Sequence, residues 1–496
     1  MTAASPLSMS ALELAAAIRA RTLSSQEVVA AHIEHARAVN PTINAIVVER
    51  YAKAMDEARA ADEWIAKAGA DEGLPALLGV PCTIKESFAV LGMPNTAGLV
   101  GRRGLRAERD ATTVSRLRHA GAICLGLTNI SELCLWMESN NHVYGRSNNP
   151  YDPRCTVGGS SGGEGAIVGA GASPFGLAAD IGGSIRMPAF FCGVFGHKPT
   201  PGMVPSTGMH PLAENEALRY LTAGPIARRA TDLMALTRIL AGPDGEDPVT
   251  HDQVLQDPER VKLSELEVIV VEDLPRFLDA ELAESMERAA RALEARGARV
   301  TRQAMPALKR GFALWSAAMN EAADTPFIEL LGEGREQEGR LSMRRELLRW
   351  ASRRSPHTLP ALVLALMERN PMFTPSGRRH EQAMEEIRAL RLRVHERLSE
   401  GAVLLFPPHS RPAPRHMGPL LRPFDFAYTA IFNVLELPVT QVPMGLSGRG
   451  VPLGVQVVGA RGSDHETIAV AHALERELGG WVPPIAHPLE PSRGAA

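Results

Sequence analysis

Short apolar runs flanked by glycine or proline recur along nearly the whole chain, and helical segments separate them. Leu77 to Ile84, Ala122 to Leu127, Gly176 to Asp180, Leu266 to Val271, Val403 to Phe406, Val439 to Val442 and Gly454 to Val458 have the length and content of buried strands, and Asn44 to Val48 reads as a further short strand. The spacing predicts helices over Ser10 to Arg21, 25–39, a charged alanine-rich stretch ending near Lys67, Asp110 to Ala120, Glu164 to Ala170, Leu282 to Arg296 and Asp464 to Leu478. Ser24-Ser-Gln-Glu27 has the form of a capping box and fixes where the second of these begins. Such alternation predicts an α/β fold, a mixed β-sheet core covered by helices on both faces. Residues 300–400 depart from the pattern, with arginine-rich helical stretches and the apolar run Leu359 to Leu366, and read as a helical insertion or cap on the core.

Two glycine-rich turns carry chemistry. Residues 158–163 read Gly-Gly-Ser-Ser-Gly-Gly, and residues 180–186 read Asp-Ile-Gly-Gly-Ser-Ile-Arg. With Lys85, at the end of the run that begins at Leu77, they form an ordered set of one lysine and two serines. A serine hydroxyl is a weak nucleophile until a base takes its proton. A buried lysine serves as that base, because burial disfavours its charged form. The glycines before Ser184 leave backbone N–H groups free to approach a developing oxyanion. Duller readings stand beside this one. Gly-Gly-Ser-Ser-Gly also satisfies G-x-S-x-G, which would make Ser160 the nucleophile of an α/β-hydrolase with later partners such as Asp425 and His465. It is also an ordinary glycine-rich turn, though not a Walker loop, since no Gly-Lys-Ser/Thr follows. Asp180 and Arg186 read either as a surface ion pair or as supports that hold the turn by hydrogen bonds.

Joined in this order, the motifs resemble those of the amidase signature family of serine hydrolases. The likeness rests on residues 158–165, 180–186 and 191–199, and runs from about residue 10 to about 482. Within the family the chain is most similar to the type 2 fatty acid amide hydrolases of animals, through Gly92 to Asn95, Tyr144 to Asp152, Met187 to Phe191, Arg422 to Phe424, Phe426 to Thr429 and Gly479 to Val482. The resemblance implies an amidase-signature fold over a single domain of residues 1–496. It implies Lys85 as general base, Ser160 as bridging serine after a cis peptide bond, and Ser184 as nucleophile. The N–H groups of Ile181, Gly182, Gly183 and Ser184 would form the oxyanion hole, and Cys134 and Leu135 would lie beside the acyl group. The expected reaction is hydrolysis of a carboxylic amide with a hydrophobic acyl group, without metal or organic cofactor. An amidotransferase subunit that releases ammonia from glutamine is the competing enzyme reading, and a non-catalytic scaffold the competing class.

Composition sets the surroundings. The five cysteines are odd in number and form no C-x-x-C pair, which predicts reduced thiols in a cytoplasmic protein rather than a disulfide framework or zinc site. A formal net charge of -3 over 496 residues speaks against nucleic-acid binding. The expected partner is a small-molecule amide. In contrast to the animal enzymes it resembles, no N-terminal transmembrane segment is expected, since no run approaches the ~18 apolar residues that a spanning helix needs. The arginine-rich stretch Arg335 to Arg354, with Leu341, Met343, Leu347, Leu348 and Trp350, reads as a solvated face neutralised by Glu333, Glu336, Glu338 and Glu346, or as a surface for transient membrane contact. A homodimer is compatible with the sequence.

Overall fold

The apolar runs become strands whose alternate residues face two different cores. A computed structural model describes residues 5–68, 73–211, 215–273, 277–322, 325–335, 337, 341–368, 370, 373–485 and 489. In chain order the strands are β1 (Ile46–Glu49), β2 (Pro81–Lys85), β3 (Ile123–Thr128), β4 (Asn140–Asn141), β5 (Gly145–Arg146), β6 (Phe175–Asp180), β7 (Phe195–Lys198), β8 (Thr222–Ala227), β9 (Glu267–Val271), β10 (Arg299–Gln303), β11 (Ala402–Phe406), β12 (Val439–Leu446) and β13 (Pro452–Val458). Among the described residues, eleven of them form one sheet in the order β1-β3-β2-β6-β8-β7-β12-β13-β11-β9-β10, and β4 pairs with β5 apart from it. The sheet is mixed. β2 runs parallel to β3 and β6, and β9 runs parallel to β10 and β11, while the strands between β6 and β11 pair antiparallel.

Strand periodicity explains the layering, since successive side chains point to opposite faces. Val268 and Val270 of β9 and Val403 and Leu405 of β11 join one core. Their neighbours Ile269, Val271, Leu404 and Phe406 join another. At the other end of the sheet, Ile123 and Leu125 of β3 and Ala178 of β6 enter a third. One face of the sheet is therefore covered continuously, and the other is covered by two helical layers that meet near its middle. The turn after β6 lies at that meeting line: Ile181 packs with the layer around Phe432, and Ile185 with the layer around Ile167.

The Ser24–Glu27 box forms in both directions, and a second one, Ser10 with Glu13, opens the helix Ala11–Arg19. The helix that starts at Ser25 runs to Ile43, past the expected end, because Pro41 falls in its last turn and Asn44 terminates it in the left-handed region at φ 45. β7, β8 and β10 were not anticipated. β8 holds Pro225 and Gly224 inside a central strand, where proline supplies no ladder donor. Gly224 is needed there, since a Cβ would sit 2.4 Å from the His197 carbonyl oxygen of β7. β10 is a half-exposed edge strand of mostly polar residues.

Most of residues 300–400 lie in the crossover from β10 to β11, the two parallel neighbours of β9. The crossover carries the helices Gly311–Ala322, Phe327–Leu330, Met343–Ala351, Leu359–Glu368 and Arg378–Leu398. Helices 311–322 and 378–398 pack on the sheet. The shorter ones form a separate cluster, in which Phe327, Met343 and Leu362 meet Leu99, Ile130 and Leu133. Of the basic stretch, Glu336, Glu338 and Arg340 lie outside the described residues. Glu333 pairs with Arg102 and His210 rather than with the nearby arginines, while Glu346 pairs with Arg349. No helix among the described residues is long and apolar enough to cross a membrane.

Candidate active site

Lys85 closes β2, and β6, which carries the second glycine turn, lies beside it in parallel. The ends of two neighbouring parallel strands thus place Lys85 next to the turn that holds Ser184. The first glycine turn reaches the same point by leading into the helix Gly162–Gly169, and Ser161 Oγ donates to the Ala179 carbonyl of β6 at 3.3 Å. Lys85 Nζ donates to Ser160 Oγ at 2.8 Å, and both residues are 1% exposed. The two enzyme readings of Ser160 differ in the partner they give it. Its partner is a lysine, not a histidine, and Asp425 is instead held by Ser410. The Gly159–Ser160 peptide bond is cis. Ser139 holds the turn by donating to the carbonyls of Gly158 and Ser160, at 3.2 Å each, while its hydroxyl accepts the Gly162 N–H at 2.8 Å.

Burial and nearby charge act in opposite directions on Lys85. Burial pushes the amine below its usual range, against the opposing pull of Cys134, Asp180 and Glu164. Glu164 adds little charge. It is buried between Thr83, whose hydroxyl donates at 2.6 Å, and Thr128, whose hydroxyl donates at 2.8 Å, and burial pushes its carboxyl up to about 8. Cys134 lies within hydrogen-bonding reach of Lys85. Leu135 and Cys134 both pack against the cluster that contains Leu362 and Phe327. The bend that presents them passes through Leu133 and Cys134 at φ 51 and 61, a left-handed conformation uncommon for side chains of this kind.

Ser184 is half-buried in a turn two of whose amides are held by Asp180. That carboxylate accepts the Gly183 N–H at 2.7 Å and the Ile185 N–H at 3.1 Å, and forms a salt bridge to Arg186 at 2.9 Å with neither side chain exposed. Burial alone would raise the Asp180 carboxyl, but the charge and hydrogen bonds of Arg186 hold it far below the usual range. Arg186 in turn reaches the Thr429 carbonyl at 2.8 Å, Gln456 at 3.0 Å and Asn433 at 2.5 Å.

One expectation changes here. The Gly183 N–H does not face an open oxyanion position, because Asp180, three residues earlier, captures it. Among the described residues, none accepts from the N–H groups of Gly182 or Ser184. Gly183 is required for another reason: its φ of 124 suits only glycine, and a Cβ there would collide with Thr429. Two further supports had no signal in the sequence. Trp315 Nε1 donates to the Ile181 carbonyl at 3.0 Å, and Thr429 Oγ1 donates to the Gly182 carbonyl at 2.7 Å. Both lie more than a hundred residues away along the chain, and although Thr429 closes the stretch Phe426 to Thr429 noted above, nothing local ties either residue to the glycine turn.

The family described as Amidase matches residues 27–468. The chain is 43% identical over 493 residues to fatty-acid amide hydrolase 2 of Homo sapiens, covering 96% of this chain and 90% of that protein. It is 41% identical over 496 residues to fatty-acid amide hydrolase 2-A of Danio rerio, covering 98% and 91%. Among solved structures, 6-aminohexanoate cyclic dimer hydrolase complexed with substrate aligns with a TM-score of 0.80 at 28% identity, over 97% of this chain and 100% of that one.

The Asp180–Arg186 pair has a measurable consequence. Asp180→Asn leaves the Arg186 guanidinium buried without its counter-charge, which costs about 3–5 kcal/mol. Denaturant unfolding should show a lower midpoint at an unchanged slope. A loss under about 1 kcal/mol would mean that the neighbouring carbonyls and amides satisfy Arg186 without a carboxylate.

Proposed function

This chain belongs to the amidase signature family and hydrolyses carboxylic amides, and on that premise we propose that Lys85, Ser160 and Ser184 carry the reaction through an acyl-enzyme. The observation that carries this reading is the buried 2.8 Å contact between Lys85 Nζ and Ser160 Oγ, at the strand end next to the Ser184 turn. In the reactive state neutral Lys85 accepts the Ser160 proton across that contact while Ser160 accepts the Ser184 proton. Ser184 Oγ bonds to the substrate carbonyl carbon, and the negative charge moves to the carbonyl oxygen. The free amides of Gly182 and Ser184 stabilise that oxyanion. The proton returns through Ser160 to the leaving nitrogen as the carbon–nitrogen bond breaks. Amides need this step because an unprotonated amide nitrogen leaves poorly. Water then cleaves the Ser184 ester by the same relay, giving the carboxylic acid and free enzyme.

A hydrophobic acyl group is the second part of the proposal. The Homo sapiens and Danio rerio relatives are, by name, hydrolases of fatty-acid amides. In this chain Cys134 and Leu135 pack with apolar residues of the crossover helices. On the other side of the Ser184 turn, Phe426 and Trp315 lie against Gly182 with ring centroids 4.9 Å apart. Part of the Leu359 to Leu366 run is spent on packing, since Ala361, Leu362 and Ala365 are buried against the core. Residues 300–400 then act as a cap over the acyl site. Five free cysteines suit a reducing, cytoplasmic setting. Leu348 and Trp350, exposed beside the arginines of helix 343–351, give the cap a face suited to transient membrane contact.

Three experiments test the reading. Ser184→Ala should abolish both hydrolysis and covalent labelling by a fluorophosphonate with the fold intact. Labelling that survives in Ser184→Ala but is lost in Ser160→Ala would transfer the nucleophile to Ser160. Next, kcat/KM should rise with pH as Lys85 deprotonates, with its midpoint below 10.5, the ordinary lysine value. Lys85→Ala should lose this limb and slow amides more than matched esters, since an ester's alkoxide needs less help to leave. Equal losses on the two would remove Lys85 from leaving-group protonation. Finally, each methylene added to the acyl chain contributes ~0.8 kcal/mol, so kcat/KM should climb about fourfold per carbon from roughly four to ten carbons until the site is full. A flat or falling series would mean that this chain takes small amides.

A further inference from the structure

We propose that Trp315 is a positioning residue for the oxyanion contact, holding the Ile181–Gly182 peptide so that the Gly182 amide meets the reacting carbonyl. The inference rests on the reading of Ser184 as nucleophile. It begins from how two successive peptides of the glycine turn are gripped. Trp315 Nε1 donates to the Ile181 carbonyl at 3.0 Å. The cis bonds of the described chain are Gly159–Ser160 and His210–Pro211, so the Ile181–Gly182 peptide is trans. In a planar trans peptide the carbonyl oxygen and the amide hydrogen point in opposite directions. A donor that grips the oxygen on one side therefore aims the Gly182 N–H to the other.

The next peptide shows the contrast. Thr429 Oγ1 holds the Gly182 carbonyl at 2.7 Å, and the Gly183 N–H on its far side is taken by Asp180 at 2.7 Å. That unit is bonded at both ends. The Ile181–Gly182 unit is gripped only at its carbonyl, and among the described residues its amide has no acceptor. It is thus a preset donor. Gly182 on its C-terminal side would otherwise leave this peptide freer to rotate, which wastes the preorganisation an oxyanion site depends on.

The grip is built into helix packing. Gly311 begins the helix Gly311–Ala322, and Trp315 follows one turn later on the same face. A Cβ at Gly311 would stand 2.7 Å from the Ala427 carbonyl oxygen, so glycine lets this helix press against the helix Ala427–Val434, which carries Thr429. The indole is fixed edge-on by Phe426, and Phe426 by Phe312, with centroids 4.9 and 6.0 Å apart. One helix pair thus supplies the donors for both peptides, and the donor for the open one comes from the crossover rather than from the glycine motif.

Trp315→Phe keeps the ring and removes the N–H. It should lower kcat about 10- to 100-fold, a part of what loss of an oxyanion donor costs, with KM little changed. Matched amides and esters should slow alike, because both pass through an oxyanion, whereas Lys85→Ala discriminates between them. A trifluoromethyl ketone bearing the same acyl chain should lose affinity by the factor lost in kcat, while the product carboxylic acid binds as before. Gly311→Ala, which forces the helices apart, should reproduce a smaller form of the same split, and it carries the test if Trp315→Phe does not fold. A kcat within about twofold of the parent enzyme, or a loss confined to KM, overturns the inference. Turnover that survives in Ser184→Ala would instead overturn the underlying reading, so the two failures are distinct.

Discussion

The fully buried ion pair between Asp180 and Arg186 is the fixed point of this structure. Asp180 ends β6 and collects the amides of the turn. Arg186 begins the following helix and reaches Thr429, Asn433 and, through Gln456, β13. Strand, turn, helix Ala427–Val434 and a strand from the far half of the sheet are therefore tied to one charge pair. Such a pair is a poor source of net stability compared with apolar packing, because two charges must be desolvated. Its value here is geometric. Every polar atom that satisfies it must be in place, and the turn that bears Ser184 is one of those atoms' supports.

Charge is distributed unevenly around that pair. Asp180 is held in its charged form by the charge and hydrogen bonds of Arg186. Lys85 and Glu164, nearby in the same interior, are driven toward their neutral forms by burial. A proton relay needs this division. A permanently charged lysine accepts nothing, and a neutral Asp180 would not hold the turn. Lys198 extends the same logic: burial lowers its pKa to about 7, against the pull of Asp180 and Asp464, and its amine donates to the Pro199 carbonyl at 3.1 Å.

The crossover from β10 to β11 does more than connect strands. Strands that run parallel in one sheet need a crossover of a dozen or more residues, usually helical. Here the segment has grown into several helices, one set resting on the sheet and the other on the loops around Leu99 and Leu133. Through Trp315 it touches the glycine turn, and through Leu362 and its neighbours it covers the bend that presents Cys134 and Leu135. Variation in this segment therefore has a direct physical route to the site without any change in the glycine motifs.

Much of the frame was legible in the chain itself. Strands rich in apolar residues, from Leu266 to Val271 or Val403 to Phe406, declare themselves, and Ser24 with Glu27 marks a helix start, because these signals act over a few residues. The order of Lys85, Ser160 and Ser184 was legible for the same reason, as each sits in a short motif. β8 was not, since its Gly224 and Pro225 are permitted only by what lies beside them. Nor were Trp315, Thr429 and Asn433, or the capture of the Gly183 amide by Asp180. Local propensity and motif thus determined the elements and the groups proposed to react. Tertiary structure alone decided which N–H groups stay free, which charges survive and which distant side chains hold the turn, because desolvation and hydrogen-bond pairing depend on neighbours brought together by the whole fold.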